Sequence, residues 1–132
     1  MFRAGYGTAA RLALEERVAR AHAGKSFKRA TLAALAPLNP IVNGTTDHAV
    51  ANMVNVSLPG IDGEAALVAT KDLIAISNGS ACTSHSYEPS HVLVGMGLDD
   101  MRTRTSLRLS WSHLMPLPDW SAVVDRLQPL KS

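Results

Sequence analysis

The residues from Ser77 to Ser86 read Ser-Asn-Gly-Ser-Ala-Cys-Thr-Ser-His-Ser, and Cys82 among them is the only cysteine of the chain. A lone cysteine is most often a small buried hydrophobe. A glycine-containing run of Ser, Asn and Thr instead reads as a loop, with no core in which to bury a thiol. It offers reach, and hydroxyl and backbone N–H donors for a thiolate. That is the reactive form of a group which, at an ordinary pKa of about 8.5, is only a few per cent ionised at pH 7. The second residue of interest is Arg108, in the alternating run Ser106-Leu107-Arg108-Leu109-Ser110. Alternation makes this a strand and puts Arg108 on its polar face. A planar guanidinium there can make two charge-assisted bonds to a carboxylate, or pair with an acid of the surface. His22, His48, His85, His91 and His113 stand at no recognised zinc-ligand spacing from Cys82, so no metal site is expected. Gly5-Tyr6-Gly7 lacks both the third glycine and the preceding strand of a dinucleotide-binding turn.

The elements that must position these residues can be read in outline. Residues 4–36 read as helix, with a kink expected at Gly24. Leu14, Val18 and Ala21 fall at helical spacing, as do Phe27, Ala30, Thr31, Ala34 and Leu35. Glu16 precedes Arg20 by four, the favourable order for a helical ion pair. Pro37 and Pro40 end this region, and Asn43-Gly44 signals a turn. Val54, Val56 and Leu58 alternate with polar residues as a half-buried strand. Asp62 is a plausible N-cap for a helix to about Lys71. Leu73–Ile76 reads as a short buried strand. A short helix over 90–96 ends at Gly97, a strand follows at Leu107, Leu109 and Trp111, and Pro118 opens a last helix with Trp120, Val123, Val124 and Leu127 as its apolar stripe. Few strands among several helices predict an α+β fold: a two-layer sandwich with a small, mainly antiparallel sheet of three to four strands covered on one face by helices.

The composition agrees with one domain spanning 1–132. The chain has 132 residues, 46% apolar and 18% charged, below the ~25% usual for charged residues and far from a disordered composition. A net charge of +2 is too weak to argue direct nucleic-acid binding. The charge is uneven: residues 1–36 carry seven Lys and Arg against two Glu, which reads as a basic solvated helix. One cysteine excludes an internal disulfide and points to a reducing, cytoplasmic setting. No apolar run approaches the ~20 residues of a membrane span, and Arg3 is followed by Glu15 and Glu16, not by a signal-peptide core.

The string Asn78-Gly79-Ser80-Ala81-Cys82-Thr83-Ser84, followed by Glu88-Pro89-Ser90-His91-Val92-Leu93, resembles the active-site cysteine segment of cysteine desulfurases, pyridoxal-phosphate enzymes of the class V aminotransferase family. Gly97-Leu98, Ser106–Ser110, Asn52–Ser57, Asp62-Gly63-Glu64-Ala65 and Lys71-Asp72 match in order and spacing. The resemblance covers nearly the whole chain and is firmest over 50–112. It implies the C-terminal small domain of a fold-type I enzyme. Cys82 would take sulfur from cofactor-bound L-cysteine as a persulfide, releasing alanine, and pass it to an acceptor protein serving iron–sulfur assembly or tRNA, cofactor or DNA thiolation. Asn78, Gly79, Ser80, Ala81, Thr83 and Ser84 would form the active-site loop, and Arg108 would hold the substrate carboxylate. The family is homodimeric. Its cofactor lysine has no counterpart among Lys25, Lys28, Lys71 and Lys131, and the histidine and aspartate that engage the cofactor ring are likewise missing. Pyridoxal phosphate would therefore be held by a large domain acting in cis or in trans, and the chain alone is not expected to catalyse desulfuration. The alternative is a stand-alone persulfide carrier or a regulatory module of a sulfur-transfer system.

Overall fold

A computed structural model describes residues 2–78 and 90–132. Its elements are α1 (Phe2–Glu15), α2 (Arg17–Ala34), β1 (Ile41–Val42), β2 (Met53–Ser57), α3 (Gly63–Thr70), α4 (His91–Gly95), α5 (Asp100–Arg104), β3 (Ser106–Ser110) and α6 (Trp120–Leu127). The three strands form one antiparallel sheet in the order β1-β2-β3. The fold is α+β, as the sequence predicts.

Period-two alternation decides the two faces of the sheet. Val54 and Val56 of β2 and Leu107 and Leu109 of β3 point inward, joining Leu35, Leu38, Leu58, Ile61, Val123, Val124 and Leu127 in one buried cluster. Each such side chain removed from water contributes about 1.5–3 kcal/mol. Asp62 caps α3 as predicted, accepting from the N–H groups of Glu64 at 3.0 Å and Ala65 at 3.1 Å. The last helix begins at Trp120, with Asp119 as the cap that accepts from Ala122.

The long N-terminal helix differs from its expected form in two ways. Its interruption lies at Glu16, not at Gly24. Gly24 is a close-packing point instead. The Trp111 indole N–H donates to its carbonyl at 3.2 Å, and a Cβ there would stand 3.0 Å from the Ala51 carbonyl oxygen. Phe27, one turn on, stacks on Trp111 with ring centroids 4.9 Å apart. Second, Leu14 and Val18 are 71% and 75% exposed and join no core. Two helices of 14 and 18 residues span about 48 Å, whereas five-residue strands span about 17 Å, so the helical segment overshoots the sheet it covers. The Glu16–Arg20 pair is present at 2.7 Å.

Leu73–Ile76 is not a strand. The Leu73 and Ile74 N–H groups both bond to the Thr70 carbonyl, so the end of α3 uncoils through a turn, and only Ser77 joins the sheet, by an antiparallel bridge to Arg108. Two short elements, β1 and α5, go unforeseen. Asp99 caps α5 by accepting from the Arg102 N–H at 2.8 Å, and Arg102 and Arg104 sit favourably at its C-terminal end.

Two groups in α2 carry an electrostatic cost. Lys28 is buried and donates to the Val50 carbonyl at 2.7 Å; burial, and then the charge of Lys25, lowers its pKa. Thr31 is fully buried and its hydroxyl has no hydrogen-bond partner among the described residues. Thr31→Val keeps the shape and removes the unsatisfied hydroxyl. It should raise stability by about 1 kcal/mol in urea denaturation; an unchanged or lower midpoint would mean that the hydroxyl is satisfied in solution.

Candidate functional site

The second face of the sheet is polar. Met53, Asn55 and Ser57 of β2 lie opposite Ser110, Arg108 and Ser106 of β3, so Asn55 is the direct cross-strand neighbour of Arg108. Arg108 is exposed, as its place in the alternating run predicts, and its guanidinium has no ion-pair or hydrogen-bond partner among the described residues. Its backbone is held on both edges: β2 lies on one side, and on the other its N–H donates to the Ser77 carbonyl while its own carbonyl accepts from the Ser77 N–H at 3.1 Å. The alternation puts Ser106 on the same face as Arg108, yet it is fully buried, as is its partner Ser57. The reason is α5, which closes over that end: the Ser57 hydroxyl donates to the Arg102 carbonyl at 2.7 Å.

Between these ends runs a hydrogen-bonded chain that the sequence does not announce. The Arg102 guanidinium donates to Asn43 Oδ1 and, at 3.4 Å, to the Val42 carbonyl. Asn43 Nδ2 donates in turn to Asn55 Oδ1 at 2.7 Å and to the Ser57 hydroxyl at 2.8 Å. Asn55 and Ser57 are visible in the sequence as the polar half of the β2 alternation. Asn43 reads there only as a turn residue, and Arg102 has no local signal.

Cys82, Gly79, Ser80, Ala81, Thr83 and Ser84 lie outside the described residues. Asn78, the last described residue before them, packs at the start of α3: a Cβ on Gly63 would lie 3.7 Å from its Cβ, 2.9 Å from the Arg104 carbonyl oxygen and 3.1 Å from that of Ser106. Gly63 thus lets α3 sit directly on the backbone beside β3 and beside the base of the cysteine-bearing segment. Gly63→Ala meets backbone that cannot yield. A loss of about 2 kcal/mol in thermal or urea unfolding is expected; an unaltered midpoint would show that α3 can slide without cost. Ser90 resumes the described chain as the N-cap residue of α4.

Among the described residues, no three His, Cys, Asp or Glu come together in a way that could hold a metal ion. No helix among them is long and apolar enough to cross a membrane. Of the four lysines, Lys28 is buried against Val50, and Lys25, Lys71 and Lys131 are exposed.

Comparison with known proteins places the chain. The mitochondrial cysteine desulfurase of Saccharomyces cerevisiae is 42% identical over 106 residues, covering 80% of this chain and 21% of that protein. The cysteine desulfurase IscS of Tolumonas auensis is 51% identical over 69 residues, 52% of this chain and 17% of that one. Among solved structures, DndA from Streptomyces lividans matches with a TM-score of 0.58 at 34% identity, covering 80% of this chain and 29% of its own. A NifS-like protein from Rickettsia africae matches in fold, with a TM-score of 0.75 at 22% identity over 96% of this chain and 33% of that chain. No protein-family model matches. The class is an α+β domain of the NifS-like kind. Within that class the chain is similar to the cysteine desulfurases, and it spans about a fifth of the length of the curated relatives it matches.

Proposed function

We propose that this chain is the sulfur-accepting domain of a cysteine desulfurase, with Cys82 as the nucleophile and Arg108 as the clamp for the substrate carboxylate. The observation that carries the reading is the Ser77–Arg108 bridge. It fixes the base of the cysteine-bearing segment to the strand that presents the arginine. Five residues separate Ser77 from Cys82, and a fully extended chain covers at most ~3.6 Å per residue. Cys82 therefore stays within about 18 Å of Ser77 in any conformation. That tether is short enough to bring the thiolate to a substrate held at Arg108 and long enough to carry it away to an acceptor.

In this reading Cys82 attacks the sulfur of L-cysteine. The new S–S bond forms as the substrate's carbon–sulfur bond breaks; the pair of electrons left on carbon would be stabilised by the cofactor that the large domain brings, and protonation of that carbon gives alanine as the other product. Arg108 orients the substrate through its carboxylate, which is a positioning task suited to a fork of fixed geometry. The residues of this chain do not fit pyridoxal phosphate, so a large domain, in cis or in trans, must bring the cofactor. Homodimerisation would come through the same parent enzyme, and the setting is a reducing compartment such as the cytoplasm.

Intact-mass spectrometry tests this directly. The chain is incubated with L-cysteine and pyridoxal phosphate, with and without the large domain of a cysteine desulfurase. A thiol-reversible gain of one sulfur, about 32 Da, that requires the large domain is expected. A gain without it would place cofactor binding in this chain, and no gain under any condition would favour a regulatory module.

A further inference from the structure

Arg108 and Asn55 lie side by side on the polar face of the sheet, and the direction of the Asn55 amide is dictated by Arg102. A guanidinium donates and cannot accept, so Asn43 must turn its carbonyl oxygen toward Arg102. Its Nδ2 then necessarily faces β2, where its two hydrogens go to Asn55 Oδ1 and the Ser57 hydroxyl. Asn55 is thereby fixed in turn: its oxygen faces Asn43 and accepts from it, and its Nδ2 is the end left over. That amide nitrogen has no partner among the described residues, and Asn55 lies directly opposite Arg108 across β2 and β3. Facing Cβ atoms of such a pair stand about 4.5–5.5 Å apart. Two uncommitted donor groups, one charged and one neutral, are thus presented side by side, and no carboxylate of the described residues pairs with either.

We propose that Asn55 is a second donor to the carboxylate held by Arg108, and that Arg102 is a positioning residue which sets the direction of the Asn55 amide through Asn43. This rests on the reading of Arg108 as a carboxylate clamp. The ligand class is the α-carboxylate of a small amino acid. One oxygen can take the Arg108 fork and the other the Asn55 amide, which fixes the carboxylate plane as well as its position. Without Arg102, Asn43 could flip and Asn55 could present its oxygen, an acceptor, to an anion.

The test is an NMR titration of the 15N-labelled chain with L-alanine, which carries the carboxylate of the proposed product and no thiol. The Asn55 side-chain amide and the Arg108 Nε–H resonances should shift along one isotherm. Asn55→Ala removes both donors and places no new charge opposite Arg108; affinity should fall about tenfold, with the backbone amide spectrum otherwise kept. Arg102→Leu should weaken binding about threefold and abolish the response of the Asn55 amide while Arg108 still titrates, and Arg102→Lys, which keeps a donor to Asn43, should restore that response. If Arg108 titrates with the same affinity in Asn55→Ala, or the Asn55 amide stays still while Arg108 moves, the inference is wrong and the clamp reading stands. If neither resonance moves in the parent chain, either alone or with the large domain of a cysteine desulfurase and pyridoxal phosphate added, the clamp reading falls and takes this inference with it.

Discussion

Cys82→Ala should abolish sulfur acceptance completely, because no other cysteine exists in the chain to substitute for it. Incubated with L-cysteine, pyridoxal phosphate and a desulfurase large domain, the variant should stay at its own mass while the parent chain gains about 32 Da. Cys82→Ser is the sharper variant. A hydroxyl has nearly the shape of the thiol but is a far weaker nucleophile at neutral pH, and it cannot form a persulfide. Both variants should unfold at the parent's temperature, since a run so rich in small polar residues reads as a loop and not as core. A sulfur adduct on Cys82→Ser would mean that the sulfur is carried elsewhere. A drop of several degrees in its melting temperature would make Cys82 a structural residue.

Arg108→Lys should lower the rate of that same sulfur transfer by about one to two orders of magnitude, with little change in stability. Lysine keeps the charge but presents a single ammonium on a flexible stem, so it can attract a carboxylate without orienting it. Losing one of two charge-assisted bonds costs about 1.5–3 kcal/mol, which is a factor of roughly 10 to 150. The side chain is exposed and makes no bond to other described residues, while the strand is held by backbone bonds to both β2 and Ser77, so the fold has no stake in it. Single-turnover kinetics with varied L-cysteine separate the two possible origins. A clamp that orients should lose both apparent affinity and the rate at saturation, whereas a merely attractive surface charge should lose affinity that added salt also removes. A variant as fast as the parent at all concentrations would remove Arg108 from the site.

What could be read in the sequence is what depends on neighbours within a few residues. Val54 and Val56, and Leu107 and Leu109, reveal two strands because a half-buried strand repeats every second residue, and the same rule exposes Arg108. Asp62 announces α3 because a cap acts on the next three residues. Gly24 was misleading for the opposite reason. Its role is set by Trp111, 87 positions away, and a helix tolerates a glycine when another residue needs that space. Leu73–Ile76 has a strand's apolarity, but its backbone hydrogen bonds go back to Thr70, not to a neighbouring strand. The two residues of β1 and the five of α5 are too short for any periodicity. The chain of bonds from Arg102 through Asn43 to Asn55 joins positions 59 and 12 apart, and no local pattern encodes such a link.

The overshoot of the N-terminal helix beyond the sheet sets a gradient of local unfolding along a single element. From Phe2 to about Arg20 the helix is held mainly by its own backbone bonds and by two i, i+4 pairs, the exposed Arg11–Glu15 and the half-buried Glu16–Arg20, each contributing about 0.3–0.5 kcal/mol. Helices that short are marginal in water without a packing partner. From Gly24 onward, Trp111, Phe27, Lys28 and Thr31 tie the same helix into the body of the domain. Amide hydrogen exchange should therefore show fast exchange through the first five turns and a step to near-global protection within a turn of Gly24. The chain would then be one cooperative unit with a fraying lever attached, and anything that packed on the exposed Tyr6, Leu14 and Val18 would lengthen the protected part without altering the core.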